Sequence, residues 1–253
     1  MTPRNVIFMI SDGMSPSSMS FARVALNRSL YLDDHLVGTV KTFSAESAIT
    51  DSAAGATTYS CGFKTCNQFV GATADTKACG TVMEAAKKRG MLTGVVVTSR
   101  VTHATPAAYS SHCDDRDAEE FIGAQQVLEG MDVILGGGLA KYNFSSLSGN
   151  NSLNVAEKLN YHIAYNIDQM NAISSLPILG LFNAQHMDYE IDRNPAVEPS
   201  LSQMTAKALQ LLEQDPNFDN GFFLMVEGSR IDMAAHNKFL FLPSFSFFIN
   251  FLF

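Results

Sequence analysis

The sequence predicts an α/β fold with a largely parallel central sheet and helices on both faces, and three observations predict it. A short unbroken apolar run at Val6–Ile10, a β-branched run at Leu92–Val97 and an apolar run at Phe222–Val226 read as buried strands. Helical patterns precede the second and third runs, the order in which helical crossovers set parallel strands side by side. At 253 residues, 46% hydrophobic and 17% charged, the chain can bury one large core and lies outside disordered or collagen-like composition.

The elements follow in order. The run Val6–Ile10 passes directly into Ser11-Asp12-Gly13, a polar turn at a strand end. Thr81 to Arg89 reads as a short helix stopped by Gly90, and Lys87-Lys88-Arg89 at its end suits the macrodipole as a solvated terminus. The strand Leu92–Val97 leads through Thr98-Ser99-Arg100 to His103. Residues 139–198 lack a clear period and carry Asn, Ser and Pro clusters, so they read as an irregular excursion or surface insertion without a second domain. Ser200 to Gln203 form a capping box that opens a helix with Leu201, Met204, Ala208, Leu211 and Leu212 on one side. The run from Phe222 then ends in Glu227. Ligands of parallel sheets sit beyond the carboxyl ends of the strands, and Asp12, His103 and Glu227 all fall there. Three side chains of metal-binding type would meet along one sheet edge, although strand ends also carry polar residues for ordinary reasons.

Lys plus Arg number 17 against 25 Asp plus Glu, a net charge of −8 that argues against nucleic acid or anionic lipid as a partner. Cys61, Cys66, Cys79 and Cys113 allow three complete pairings and contain no CxxC, which disfavours a zinc ribbon or thioredoxin site. The N-x-S sequons at Asn27, Asn143 and Asn150 favour a secretory, vacuolar or extracellular location. Met1 to Arg4 run straight into the first strand, so a targeting segment is expected to be missing from the chain as given.

Two segments carry chemistry. Thr50-Asp51-Ser52-Ala53-Ala54-Gly55-Ala56-Thr57 sets a hydroxyl among small residues where a helix can start, and free N–H groups there favour a phosphate; an ordinary N-cap has the same signature. Glu227-Gly228-Ser229-Arg230-Ile231-Asp232-Met233-Ala234-Ala235-His236 sets Asp232 and His236 four apart on one helical face after a buried strand, a spacing suited to a metal.

Together with the Ser-Asp-Gly-Met turn at Asp12 and Thr102-His103-Ala104-Thr105-Pro106, these blocks resemble alkaline phosphatase, nearest to the eukaryotic and particularly fungal type, from about Asn5 to Asn237. The resemblance implies an alkaline-phosphatase-like fold, here incomplete, and a phosphate monoester hydrolase acting through a phosphoserine, with Zn2+ and Mg2+ as cofactors. It implies Ser52 as nucleophile, Arg116 as a bidentate phosphate clamp and Asp51 as the group holding that arginine. Asp12 would bridge the second zinc and the magnesium, Ser52 would ligate the second zinc, and Thr105 and Glu227 would complete the magnesium site. His103 would act on the magnesium through water. Asp232 and His236 would bind the first zinc. Two cations about 4 Å apart suit so slow a hydrolysis, stabilising attacking and leaving oxygens in turn. Small phosphate monoesters are the expected substrates and a homodimer is the family expectation; no membrane anchor is visible.

The sequence divides into an alkaline-phosphatase-like catalytic portion, residues 1–238, and a Phe-rich tail, residues 239–253, with no Asp, Glu, His, Lys or Arg. In the family an Asp-His pair for the second zinc and a further His for the first lie downstream of this point. The expectation is a truncated, impaired enzyme; only if the chain as given proves active would replacement ligands be sought, first among His112, Asp114 and His186. Phe239 to Phe248 comprise only Phe, Leu, Pro and Ser, which pyrimidine-only codons can encode, so the tail reads as read-through into a pyrimidine-rich intron or as a faulty gene model. It falls short of the roughly 20 apolar residues of a membrane helix. A phosphodiesterase or sulfatase of the same superfamily, and a pseudoenzyme that binds phosphate or metal without turnover, are the competing readings.

Overall fold

The computed structural model describes residues 4–143 and 151–237. Its strands are β1 (Asn5–Ser11), β2 (Leu92–Arg100), β3 (Val133–Gly137), β4 (His162–Ala164), β5 (Ile178–Leu181) and β6 (Phe222–Gly228), forming one sheet in the order β1-β6-β2-β3-β5-β4. Every pairing is parallel. Parallel neighbours cannot be joined by tight turns, so helices carry the chain back across the sheet and cover it.

Side chains alternate across each strand and divide the core in two. On one face Val95, Val97, Ile134, Phe223 and Met225 pack with Ala53 and Ala56 of the helix Ser52–Cys61 and Ile122 of the helix Glu119–Leu128. On the other face Val96, Leu135, Leu224 and Val226 meet Met204, Ala208, Leu211 and Leu212 of the helix Leu201–Gln214. Both faces are thus covered, as the apolar runs of β2 and β6 require. The box opening the last helix forms as the sequence implies: Ser200 Oγ accepts the Gln203 N–H at 3.2 Å and Gln203 Oε1 accepts the Ser200 N–H at 2.8 Å. The helix Val82–Lys88 begins with a second box, Thr81 with Glu84.

Several expectations are corrected. β1 is not buried on both faces: among the described residues it pairs only with β6 at the edge of the sheet, and Ile7 and Met9 stay exposed. The excursion at 139–198 contributes β4 and β5, strands of three and four residues that are too short to show a period. Lys87 is not simply solvated, because its Nζ donates to both oxygens of Asp132 at 2.9 and 2.8 Å. None of the three complete cysteine pairings forms: the structure has the single bond Cys61–Cys79 and leaves Cys66 and Cys113 as thiols. Asn27 and Asn143 are exposed; Asn150 and the tail 239–253 lie outside the described residues.

Candidate active site

In the sheet register Ile10 of β1, Glu227 of β6 and Val97 of β2 lie side by side, so the residues that follow them emerge together at one edge. Asp12 comes one residue after β1. His103 caps the helix Ala104–Ser110 that follows β2. Gly13, at φ +65°, turns the chain where a Cβ would stand 2.4 Å from Asp232 Oδ1, so the absence of a side chain there is what lets Asp12 and Asp232 share the site.

Ser52 is the first residue of its helix, and Asp51 is the N-cap, with Oδ1 accepting the Ala54 N–H at 2.9 Å. The ordinary cap therefore forms, and it leaves the Ser52 hydroxyl at the start of the helix. Ser52 Oγ donates to the Asp12 carboxylate, 3.1 Å from each oxygen. Asp51 Oδ2 accepts from Arg116 Nη1 at 3.2 Å and from the Gln68 N–H at 2.8 Å. Arg116 Nη2 donates to His103 Nε2 at 3.0 Å. Arginine offers only donors, so His103 must accept at Nε2 and carry its proton on Nδ1, a buried atom with no hydrogen-bond partner. Burial, then the charges of Arg116, His186 and Arg100, hold its pKa well below the ordinary range and keep the ring neutral.

The carboxylates are under opposite pressure. Burial, followed by the charge of Asp232, pushes Asp12 up to about 6 against the hydrogen bond from Ser52 and the charge of Arg116. Burial and then the charge of Asp12 push Glu227 up to about 8. Ser229 Oγ donates to Glu227 Oε2 at 2.5 Å, while Glu227 Oε1 is buried without a hydrogen-bond partner. Two repelling carboxylates, one of them with an orphaned oxygen, and the nearby Thr105 hydroxyl make a set of hard oxygen donors that fits a magnesium-type cation.

The zinc pairs fit less well. His236 Nε2 lies 3.5 Å from Asp232 Oδ2, confirming the four-residue spacing, but its side chain is 80% exposed. Asp12 with Ser52 is the other pair, and a zinc normally takes at least three protein ligands. Among the described residues no group of three or more His, Cys, Asp or Glu is placed to hold a metal. The substitute ligands are otherwise engaged: His112 has its ring nitrogens against Gly71 O and Glu84 Oε1, and both nitrogens of His186 face Arg100. Asp114 is exposed.

Arg100 and Arg230 bring positive charge beside the His186 ring, which burial and then those charges keep neutral, an arrangement that the sequence motifs do not single out for this position. The His186 ring stands edge-on to His103, centroids 5.3 Å apart, and Arg100 is held in a fork by Glu119. Arg230 stacks on Tyr189 at 3.7 Å. The loop that delivers His186 crosses Gly137, where a Cβ would lie 2.2 Å from Gln185 O. The run Gly136-Gly137-Gly138 is the one sequence signal that could have marked this close approach.

Residues 3–241 match the alkaline phosphatase family. The chain is similar to the alkaline phosphatase of Schizosaccharomyces pombe, 45% identical over 259 residues covering 93% of this chain and 49% of that protein. It is also similar to the repressible alkaline phosphatase of Saccharomyces cerevisiae, 39% identical over 272 residues covering 93% and 48%. The chain thus spans about half the length of the curated relatives it matches. Among solved structures it resembles a cold-active alkaline phosphatase from a psychrophilic Shewanella, with TM-score 0.88 and 34% identity, covering 98% of this chain and 62% of that one. The alkaline phosphatase of the Antarctic bacterium TAB5 gives TM-score 0.86 and 31% identity, covering 99% and 73%, and a variant of that enzyme is described with magnesium bound.

Proposed function

The chain belongs to the alkaline phosphatase family, and from that premise we propose that it hydrolyses phosphate monoesters through a phosphoserine at Ser52. The observation that carries the reading is the adjacency of Ser52, held by Asp12, to Asp51, which holds Arg116. One dipeptide sets both the nucleophile and the partner of the clamp.

In the first displacement Ser52 Oγ gives up its proton and attacks phosphorus, the P–O bond to the leaving group breaks, and the leaving oxygen takes up a proton and departs as the alcohol. Asp12 orients Oγ through the hydrogen bond it accepts. Arg116 forks onto two phosphoryl oxygens, its guanidinium steadied by Asp51 Oδ2 and His103 Nε2. Water then attacks phosphorus from the opposite side, the P–Oγ bond breaks, and Ser52 regains a proton. Two in-line displacements retain configuration at phosphorus.

Asp12, Thr105 and Glu227 would hold magnesium, which when bound supplies fixed positive charge to the phosphoryl oxygens and relieves the repulsion between the carboxylates. Zinc at Asp232 with His236, and at Asp12 with Ser52, follows from the family resemblance; each pair offers two donors among the described residues, and no step is assigned to it. Residues 1–238 are proposed as catalytic portion, with small monoesters as substrates, a homodimeric state and a secretory, vacuolar or extracellular location. The exposure of Asn27 and Asn143 supports that route. Among the described residues no helix is long and apolar enough to cross a membrane.

The test is acid trapping after exposure of the protein to p-nitrophenyl phosphate, followed by peptide mapping. A phosphoryl group on the Ser52 peptide is expected. Hydrolysis with an adduct elsewhere overturns the assignment of Ser52, faster turnover of diesters than monoesters moves the protein to the phosphodiesterases, and phosphate binding without hydrolysis makes it a non-catalytic binder.

A further inference from the structure

We propose that Asn67 is a positioning residue for the phosphate clamp, acting through Asp51 and Arg116 without touching substrate; the proposal rests on the phosphatase reading above. Asn67 Oδ1 accepts the Asp51 N–H at 3.2 Å, and Asn67 Nδ2 donates to Ile49 O at 3.1 Å. One side-chain amide therefore fixes the backbone on both sides of Thr50, just before the nucleophile. Its own backbone N–H is taken by Glu46 Oε1 at 3.1 Å, so the amide is anchored from behind.

The neighbouring peptide completes the device. Gln68 donates its N–H to Asp51 Oδ2 at 2.8 Å and accepts the Arg116 N–H on its carbonyl at 2.9 Å. The same carboxylate oxygen receives Arg116 Nη1, so Gln68 grips the ion pair at the acid and at the backbone of the base. Gln68 adopts φ +74°, an uncommon left-handed conformation for a residue with a side chain, and such conformations persist where the surroundings over-determine them. Those surroundings are present. Val70 and Cys113 exchange both backbone hydrogen bonds at 2.9 Å, and Gly71 O faces His112 Nδ1 at 2.7 Å. Residues 67–71 and 112–116 form a small antiparallel ribbon, and the Cys61–Cys79 bond closes the loop that carries its first strand. Arg116 reaches Asp51 across 65 residues of sequence because this ribbon brings it there. Loss of the Asn67 amide frees the Asp51 end while leaving the ribbon itself intact.

The test is a double-mutant cycle on inorganic phosphate binding, measured by calorimetry with the parent, Asn67→Ala, Arg116→Ala and the double variant. Asn67→Ala is expected to weaken phosphate about tenfold, the scale of one lost hydrogen bond to a charged-group network. The double variant is expected to match Arg116→Ala within about twofold, because a residue acting through the clamp has nothing left to position. Unchanged affinity in Asn67→Ala, or a full additional loss on top of Arg116→Ala, overturns the proposal. The second readout needs no phosphate: the Arg116 Nη1–H resonance, which reports the bond to Asp51 Oδ2, should move toward that of an unpaired arginine in Asn67→Ala, and an unmoved resonance also overturns it. A flat phosphate titration of the parent defeats the phosphate-site reading, while the resonance still decides the role of Asn67. If Asn67→Ala does not fold, Asn67→Ser, which falls short of the Asp51 N–H but keeps a polar loop residue, carries both readouts.

Discussion

Ser52 Oγ stands 3.1 Å from both oxygens of Asp12, joining the first turn of a helix to the end of the edge strand across 40 residues of sequence. The contact lets the hydroxyl be removed with little structural consequence, since the block around it is alanine and the helix is capped by Asp51. Ser52→Ala is expected to abolish the trapped phosphoryl adduct while keeping stability within about 1 kcal/mol of the parent. Burst kinetics surviving the change would exclude Ser52 as nucleophile.

Arg116→Lys keeps the charge and loses the fork. The guanidinium now serves Asp51 with Nη1 and His103 with Nη2, and an ammonium cannot hold both while facing an anion. Phosphate affinity should fall by about 1–3 kcal/mol, read as a higher inhibition constant for inorganic phosphate. An unchanged constant would place the clamp elsewhere.

Glu227→Gln removes a charge that burial and Asp12 both oppose, and keeps an acceptor for Ser229 Oγ. The metal-free variant should melt no lower than the parent. Added magnesium should raise the melting temperature of the parent and leave that of the variant in place. An equal magnesium shift in both would remove Glu227 from the cation site.

Gly137→Ala puts a methyl group 2.2 Å from Gln185 O, a backbone atom that cannot swing aside. The loop bearing His186 must move or the strand must bend, and overpacking of this kind costs about 1–3 kcal/mol. Chemical denaturation should show that loss. A wild-type midpoint would mean that the loop yields freely.

Asp33 reports on acid stability away from the site. Hydrogen bonds from Arg23 and then from the Leu30 N–H, at 2.8 Å, draw its pKa down to about 2 from the ordinary 3.8. A folded pKa below the unfolded one means that stability is present above about 4 and is lost as pH falls toward 2. Asp33→Asn should flatten that part of the acid denaturation curve. An unchanged curve would show that the exposed pair contributes nothing.

Much of the site was legible because its parts are local. The Asp51 cap with Ser52 behind it, the Ser200–Gln203 box, the spacing of Asp232 and His236, and the polar residues closing β1 and β6 each need only a few neighbouring residues, and each took the form their chemistry dictates. The apolar run of β1 shows where that legibility ends. Its composition is that of a buried strand, yet burial depends on what packs against it, and among the described residues its one strand neighbour is β6.

Sequence by itself determined the alternation of helix and strand, the parallel class of the sheet and the residue types gathered at its edge. Tertiary structure alone decided the partners: Arg116 on Asp51 and His103, His186 beside His103, Asn67 on the Asp51 N–H, and β4 and β5 as strands at all. The physical reason is range. Caps and periodicity are settled within a turn or two of chain, whereas parallel pairing and buried ion pairs join segments tens of residues apart, so their geometry exists only once the whole core has closed.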